Sequence, residues 1–131
     1  MRCRLPRVAL AAMALAGAAL FALHGVTHAQ KGVDMPVVIE IVTFKLGPGT
    51  SAAAFQPLDR AVEVQHVSKQ PGFISRESAA GDNGEWLVVV HWKSVKDADA
   101  SMANFATAPA AQAFMAKLDA ATMTMRRYVE Q

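Results

Sequence analysis

The side chains of this chain best equipped for chemistry are a carboxylate set in an apolar strand, two histidines and two tryptophans. The carboxylate is Glu40, inside the run VVIEIVTFKL that spans residues 37–46. A carboxylate buried in such company needs a matching charge or hydrogen bonds. Of the four histidines, His66 and His91 lie beyond the N-terminal segment that holds His24 and His28, and the tryptophans Trp86 and Trp92 bracket the run EWLVVVHWK at residues 85–93. An imidazole both takes and gives a proton near neutral pH, so His66 is a candidate general base for a phenolic or enolic proton. Its alternative is a histidine on a helix flank, bonded to water or Asp59. Glu40 is a second acid/base group or the orienter of His66; its alternative is an ion pair with Arg76, Arg126 or Arg127. Trp86 and Trp92 form a stacking wall for a flat ligand, or are plain core aromatics.

Other chemistries lack their residues. The one cysteine is Cys3, so the chain beyond it has no thiol nucleophile and no disulfide. With His24 and His28 set aside in the N-terminal segment, the two remaining histidines without thiols do not make a buried zinc site. Gly81-Asp82-Asn83-Gly84 joins two strands and does not lead into a helix, so it is not a phosphate loop. There is no Gly-x-Ser-x-Gly nucleophile elbow.

Residues 1–29 read as a secretory leader. Arg2, Arg4 and Arg7 form a basic start, Val8 to Leu23 is uncharged and rich in Ala and Leu, and Thr27-His28-Ala29 is a small-x-small cleavage site. The expected destination is the periplasm or the exterior. Kept uncleaved, the leader would anchor the protein, which is the only membrane contact expected. Of the 13 basic residues, three leave with the leader, so 10 face 11 acidic ones and the net charge falls from +2 to −1. With no basic stripe, a nucleic-acid partner is not expected.

Residues 30–36 are a tether and 37–131 one domain. The first strand, 37–46, stops at Gly47-Pro48-Gly49. Thr50 or Ser51 caps a helix running to about Lys69, with Phe55, Leu58 and Val62 on one face. At 100° per residue, Asp59 and His66 flank that face. A short strand at 73–79 follows, marked as partly exposed by Arg76 and Glu77, then the hairpin loop and the third strand, 85–93. Ser94 opens a second helix with Asp97 and Asp99 near its N-terminus. Pro109 interrupts it, 110–118 resumes it, and a last strand runs from about Thr122 to Val129. Met102, Phe105, Phe114 and Leu118 point inward, and Met123 and Met125 pack.

The expected fold is therefore α+β, ferredoxin-like β-α-β-β-α-β, with a four-stranded antiparallel sheet and helices on one face. Alternation puts Trp86, Val88, Val90 and Trp92 on one side of the third strand and Leu87, Val89 and His91 on the other. Both sides are apolar, yet the helices suffice for one layer. Burying Ile39, Ile41, Leu87 and Val89 on the open side is worth about 1.5–3 kcal/mol each. Their total rivals the stability of a small domain, about 5–15 kcal/mol. A homodimer closing two sheets into a barrel is expected, with His91 at the interface.

This element order, with the words EIVTFKLGPGT, QPGFISRE, VVVHWKS and NFATAPAAQAFM, resembles the antibiotic-biosynthesis-monooxygenase-like group of the dimeric α+β barrel superfamily. The resemblance spans most of residues 37–128. It implies a ferredoxin-like dimer with a pocket between helices and sheet in each subunit. It also implies activities that range from cofactor-free oxidation of aromatic polyphenols by O2 to haem degradation, with many members of no assigned reaction. In the haem-degrading branch an Asn, a Trp and a His carry the site. Trp92 matches the Trp, but Val42 falls at the Asn position and 110–118 holds no histidine. The expectation is an exported monooxygenase-like dimer acting on a small aromatic compound without metal or other cofactor. His66 and Glu40 would be catalytic, with Trp92, Trp86 and Asp59 binding substrate. A non-catalytic binding protein on the same scaffold is the alternative.

Overall fold

The computed structural model describes residues 35–131; the leader and its cleavage site lie outside the described residues. Four strands, β1 (Val38–Leu46), β2 (Phe73–Ala80), β3 (Glu85–Trp92) and β4 (Leu118–Val129), form one sheet in the order β2-β3-β1-β4. Every neighbouring pair is antiparallel. Three helices, α1 (Ala52–Gln65), α2 (Val95–Phe105) and α3 (Pro109–Met115), complete the domain. This is the ferredoxin-like α+β fold expected from the sequence, with the second helical segment split in two.

Local chemistry explains the helix limits. Ser51 caps α1, its Oγ accepting the Ala54 N–H at 3.1 Å. Pro57 sits inside α1 without ending it. The helix stops at Gln65, and a single 3₁₀ turn, Val67–Lys69, replaces the extension to Lys69 expected from periodicity. Ser94 caps α2 by accepting the Asp97 N–H at 3.1 Å and donating to Asp97 Oδ2 at 2.6 Å. Pro109 does not kink a continuing helix but starts α3, where its missing N–H costs nothing. Leu118 is not helical. It opens β4, opposite Leu46 of β1.

Two irregularities in the sheet change which side chains face the helices. Phe73 pairs with Trp92 and Ser75 with His91, which leaves Ile74 as an extra residue on β2. A bulge of this kind reverses the alternation beyond it. Arg76 and Ser78 consequently turn to the covered face, and Ser75 and Glu77 to the open one. In β4 the register jumps from Thr124, opposite Thr43, to Asp119, opposite Lys45. The Lys45 N–H donates to Thr122 Oγ1 at 2.8 Å and steadies that insertion.

The core lies between the helices and the face carrying Val38, Phe44, Trp86, Val88, Val90 and Trp92, all buried. Phe55 of α1 is its centre. Its ring meets Phe44 and Trp86 edge-on at centroid distances of 5.7 and 5.1 Å, and Phe114 of α3 at 4.9 Å. On the open face Ile39, Ile41 and Val89 are half-buried, and Leu87 and Tyr128 are exposed. No described segment covers them.

Phe55→Ala removes the ring on which three other aromatics close. Urea denaturation should show a loss of about 3–5 kcal/mol; a loss below about 1 kcal/mol would show that the core does not centre there.

Candidate functional site

A cavity of about 200 Å³ lies between the covered face of the sheet and α2 and α3. Val42 and Phe44 of β1 and Val88, Val90 and Trp92 of β3 form its floor. Met102 and Phe105 of α2 and Phe114 and Met115 of α3 form its roof, and Met123 and Met125 of β4 one side. Met102 and Met125 are 40% and 44% exposed, which places the mouth between α2 and β4. Three polar residues interrupt this apolar wall: Glu40, Arg76 and Ser101.

Glu40 and Arg76 belong to one transverse row. Arg76 pairs with Val90, Val90 with Glu40, and Glu40 with Arg127, so the four share a register across all four strands. Arg127 Nε donates to Glu40 Oε2 at 2.6 Å, and its Nη1 donates to Asp99 of α2. Burial lowers the Arg127 pKa, but hydrogen bonds and charges from Asp99 and Glu40 outweigh it and raise the pKa above the ordinary arginine value. The guanidinium therefore stays charged. Oε1 of Glu40 has no hydrogen-bond partner among the described residues.

Arg76 is held by a second cluster. Its Nη1 and Nη2 donate to Asp59 Oδ2 and Oδ1 at 3.0 and 2.5 Å, and Ser78 Oγ donates to Oδ2 at 2.6 Å. The two charged side chains are 2% and 5% exposed. Asp59 is thus committed to Arg76 and does not line the cavity. Its role is to pin α1 to the edge strand β2.

His66 stands behind the wall. It follows the last residue of α1, with φ −130° and ψ −71°, and turns toward α2. Its Nε2 donates to the Ser101 carbonyl at 3.3 Å, and Gln70 Nε2 lies 3.5 Å from Nδ1. Phe105, which does line the cavity, packs edge-on against the imidazole at 5.6 Å. His66 and Glu40 are therefore not brought together. Trp92 lines the cavity beside Glu40, whereas Trp86 packs against Phe55 away from it. His91 lies on the open face, where its Nδ1 and Ser75 Oγ are 3.0 Å apart. Of the five residues named from the sequence, the geometry assembles Glu40 and Trp92.

Sequence reasoning missed Arg76, Arg127 and the methionine walls as parts of the site. Arg127 was among the ion-pair partners considered for Glu40, and strand parity on β4 could have singled it out. No signal in the sequence marks the bulge that turns Arg76 inward. Among the described residues no group of three or more His, Cys, Asp or Glu side chains is placed to hold a metal ion. No described helix is long and apolar enough to cross a membrane.

No protein-family model matches the chain, and neither does any curated protein. Solved structures do match. SnoaB, a cofactor-independent oxygenase from Streptomyces nogalater, superposes with a TM-score of 0.59 at 16% identity, covering 73% of this chain and 94% of that one. A candidate antibiotic biosynthesis monooxygenase from Nitrosomonas europaea gives 0.56 at 16% identity, covering 71% and 88%. Another from Chloroflexus aurantiacus gives 0.52 at 20% identity, covering 72% and 93%. The chain has the antibiotic-biosynthesis-monooxygenase-like fold.

Removing one partner of a buried ion pair strands the other, whereas replacing both with apolar groups is often tolerated. Asp59→Ala should cost about 3–5 kcal/mol in urea denaturation. Adding Arg76→Met should recover most of that loss. Additive losses in the double-mutant cycle would show that the two side chains do not depend on each other.

Proposed function

We propose that this protein is an exported, dimeric, cofactor-independent oxygenase of small aromatic compounds, with Glu40 as the base. The carrying observation is an apolar cavity whose wall holds a single carboxylate with one oxygen free. A phenolic or enolic substrate lying on Trp92 gives its proton to Glu40, and Arg127 stays charged beside the acid so formed. The electron-rich anion then reacts with O2. For a methylene flanked by carbonyl and aryl groups, one oxygen atom enters the product as a new carbonyl. The other leaves as water with the two methylene hydrogens. Likeness to SnoaB, itself a cofactor-independent oxygenase, supports the same reading.

His66 serves this site indirectly, by holding α2 over the cavity through the Ser101 carbonyl. Its withdrawal from the cavity also supports a second reading, a protein that binds a small apolar ligand and does no chemistry. Oxygen consumption with hydroquinones, naphthols and anthrone-like phenols separates the two. Oxygenase activity predicts uptake that falls at least about 100-fold in Glu40→Gln, the scale of a lost general base. His66→Ala should keep the wild-type order of magnitude. No uptake with any compound leaves the binding reading.

The dimer rests on the open face, where two copies would bury Ile39, Ile41, Leu87 and Val89 against each other. Wild type should sediment as a dimer at micromolar concentration, and Val89→Arg, which places a charge in that contact, should sediment as a monomer. A monomeric wild type would end the barrel proposal. Export predicts that the N-terminus of periplasmic protein is Gln30.

A further inference from the structure

The cavity has two arginines near it, and both are already matched. Arg76 spends Nη1 and Nη2 on the two oxygens of Asp59, and Glu63 lies 4.0 Å from Nη1. Arg127 spends Nε on Glu40 and Nη1 on Asp99. An entering anion would lose its water, find no unmatched positive charge, and meet the Glu40 carboxylate in an apolar wall. Desolvating a charge on such terms is costly. A neutral hydroxyl meets the opposite situation, because Oε1 of Glu40 is an acceptor without a donor among the described residues. Among the described wall residues the uncharged polar groups are the Ser101 hydroxyl and the Trp92 Nε1–H, a buried donor without a partner that a neutral hydroxyl can also satisfy.

Size narrows the choice further. At the packing density of protein interiors, about 0.75, a space of 200 Å³ takes a molecule of about 150 Å³. Two fused six-membered rings with a small substituent fit that volume. Three linear rings exceed that volume.

We infer that the cavity selects neutral hydroxylated aromatics of about two fused rings and turns away their carboxylated analogues, with Glu40 setting that choice. This deepens the oxygenase reading by naming the substrate class of the same site, and it rests on the cavity being the place where substrate binds. It does not rest on the reaction, so binding alone tests it. Oxygen uptake tests the chemistry separately. A protein that prefers the naphthol and consumes no oxygen keeps the selectivity and loses the oxygenase reading.

Calorimetric titration of the purified protein at neutral pH with phenol, 2-naphthol, 2-anthrol and 2-naphthoate is the direct measurement. 2-Naphthol should bind at least about tenfold tighter than 2-naphthoate, the least expected for an unmatched buried charge. It should also bind tighter than the one-ring and three-ring phenols. Glu40→Gln keeps the side-chain shape and leaves Arg127 without its carboxylate on the sheet. In that variant 2-naphthoate should gain about tenfold and the preference for the naphthol should vanish. Asp99→Asn, which releases the exposed side of the same guanidinium, should move the preference the same way by less. Three results would each overturn the inference: 2-naphthoate binding wild type as tightly as 2-naphthol, no binding of 2-naphthol, or an unchanged preference in a folded Glu40→Gln protein.

Discussion

Charges on the covered face of the sheet must be matched, and much of the tertiary arrangement follows from how that is done. Glu40, Arg76 and Arg127 all face the helices, where an unmatched charge is not tolerated. Each helix that crosses a charged strand supplies a carboxylate. Asp59 of α1 takes Arg76 of β2, and Asp99 of α2 takes Arg127 of β4. The two edge strands are thereby tied to different helices, and Glu40 on the central strand β1 closes the second cluster. Such pairs add little net stability, because desolvation offsets most of the attraction. Their effect here is positional: a shift of α1 along the sheet breaks three hydrogen bonds to Asp59 at once.

Between these two anchors the helices do not fill the space. The buried residues of α2 are Ala98 and Ser101, and those of α3 are Ala110, Ala111 and Phe114. Small residues let the helix backbones approach the sheet at a few points. Phe114 meets the floor at Phe44, and the larger side chains of Phe105 and Met115 roof the cavity beside that contact. Four of the cavity's wall residues are methionines, whose unbranched, polarisable chains adapt to a ligand at low cost. A wall of branched aliphatics would hold one shape more rigidly.

The alternation of β1 and β3, the turns and the Ser94 cap were legible because each rests on a local signal, and the α1 cap was narrowed to Thr50 or Ser51. Glu40 followed from parity alone. His66 was placed by extending the α1 period past Val62, which predicts burial correctly but direction wrongly. The helix ends one residue earlier, so His66 takes a non-helical conformation and swings toward α2. Arg76 failed for a related reason. Without the extra residue Ile74, strict alternation puts Arg76 on the open face, where Arg and Glu in succession look like solvent-facing residues. One inserted residue moves the guanidinium into the core, and only pairing partners on β3 reveal it. Leu118 was read as helical because its apolar spacing continues that of Phe114; its pairing with Leu46 is a long-range contact that spacing cannot express.

The two faces of the sheet are not independent. Ile39 and Ile41 point to the open face, and Glu40, between them on β1, points to the cavity. β1 is also the strand that bonds to both β3 and β4, so its position sets the distance from Glu40 to Trp92 and to Arg127. In the proposed dimer a second sheet presses on Ile39 and Ile41 and holds that backbone still. An acid or base gains rate from being held in place before substrate arrives, so dimerisation and chemistry would act through the same three residues. In that proposed dimer the apolar open face, which no described segment covers, would serve the carboxylate on its far side.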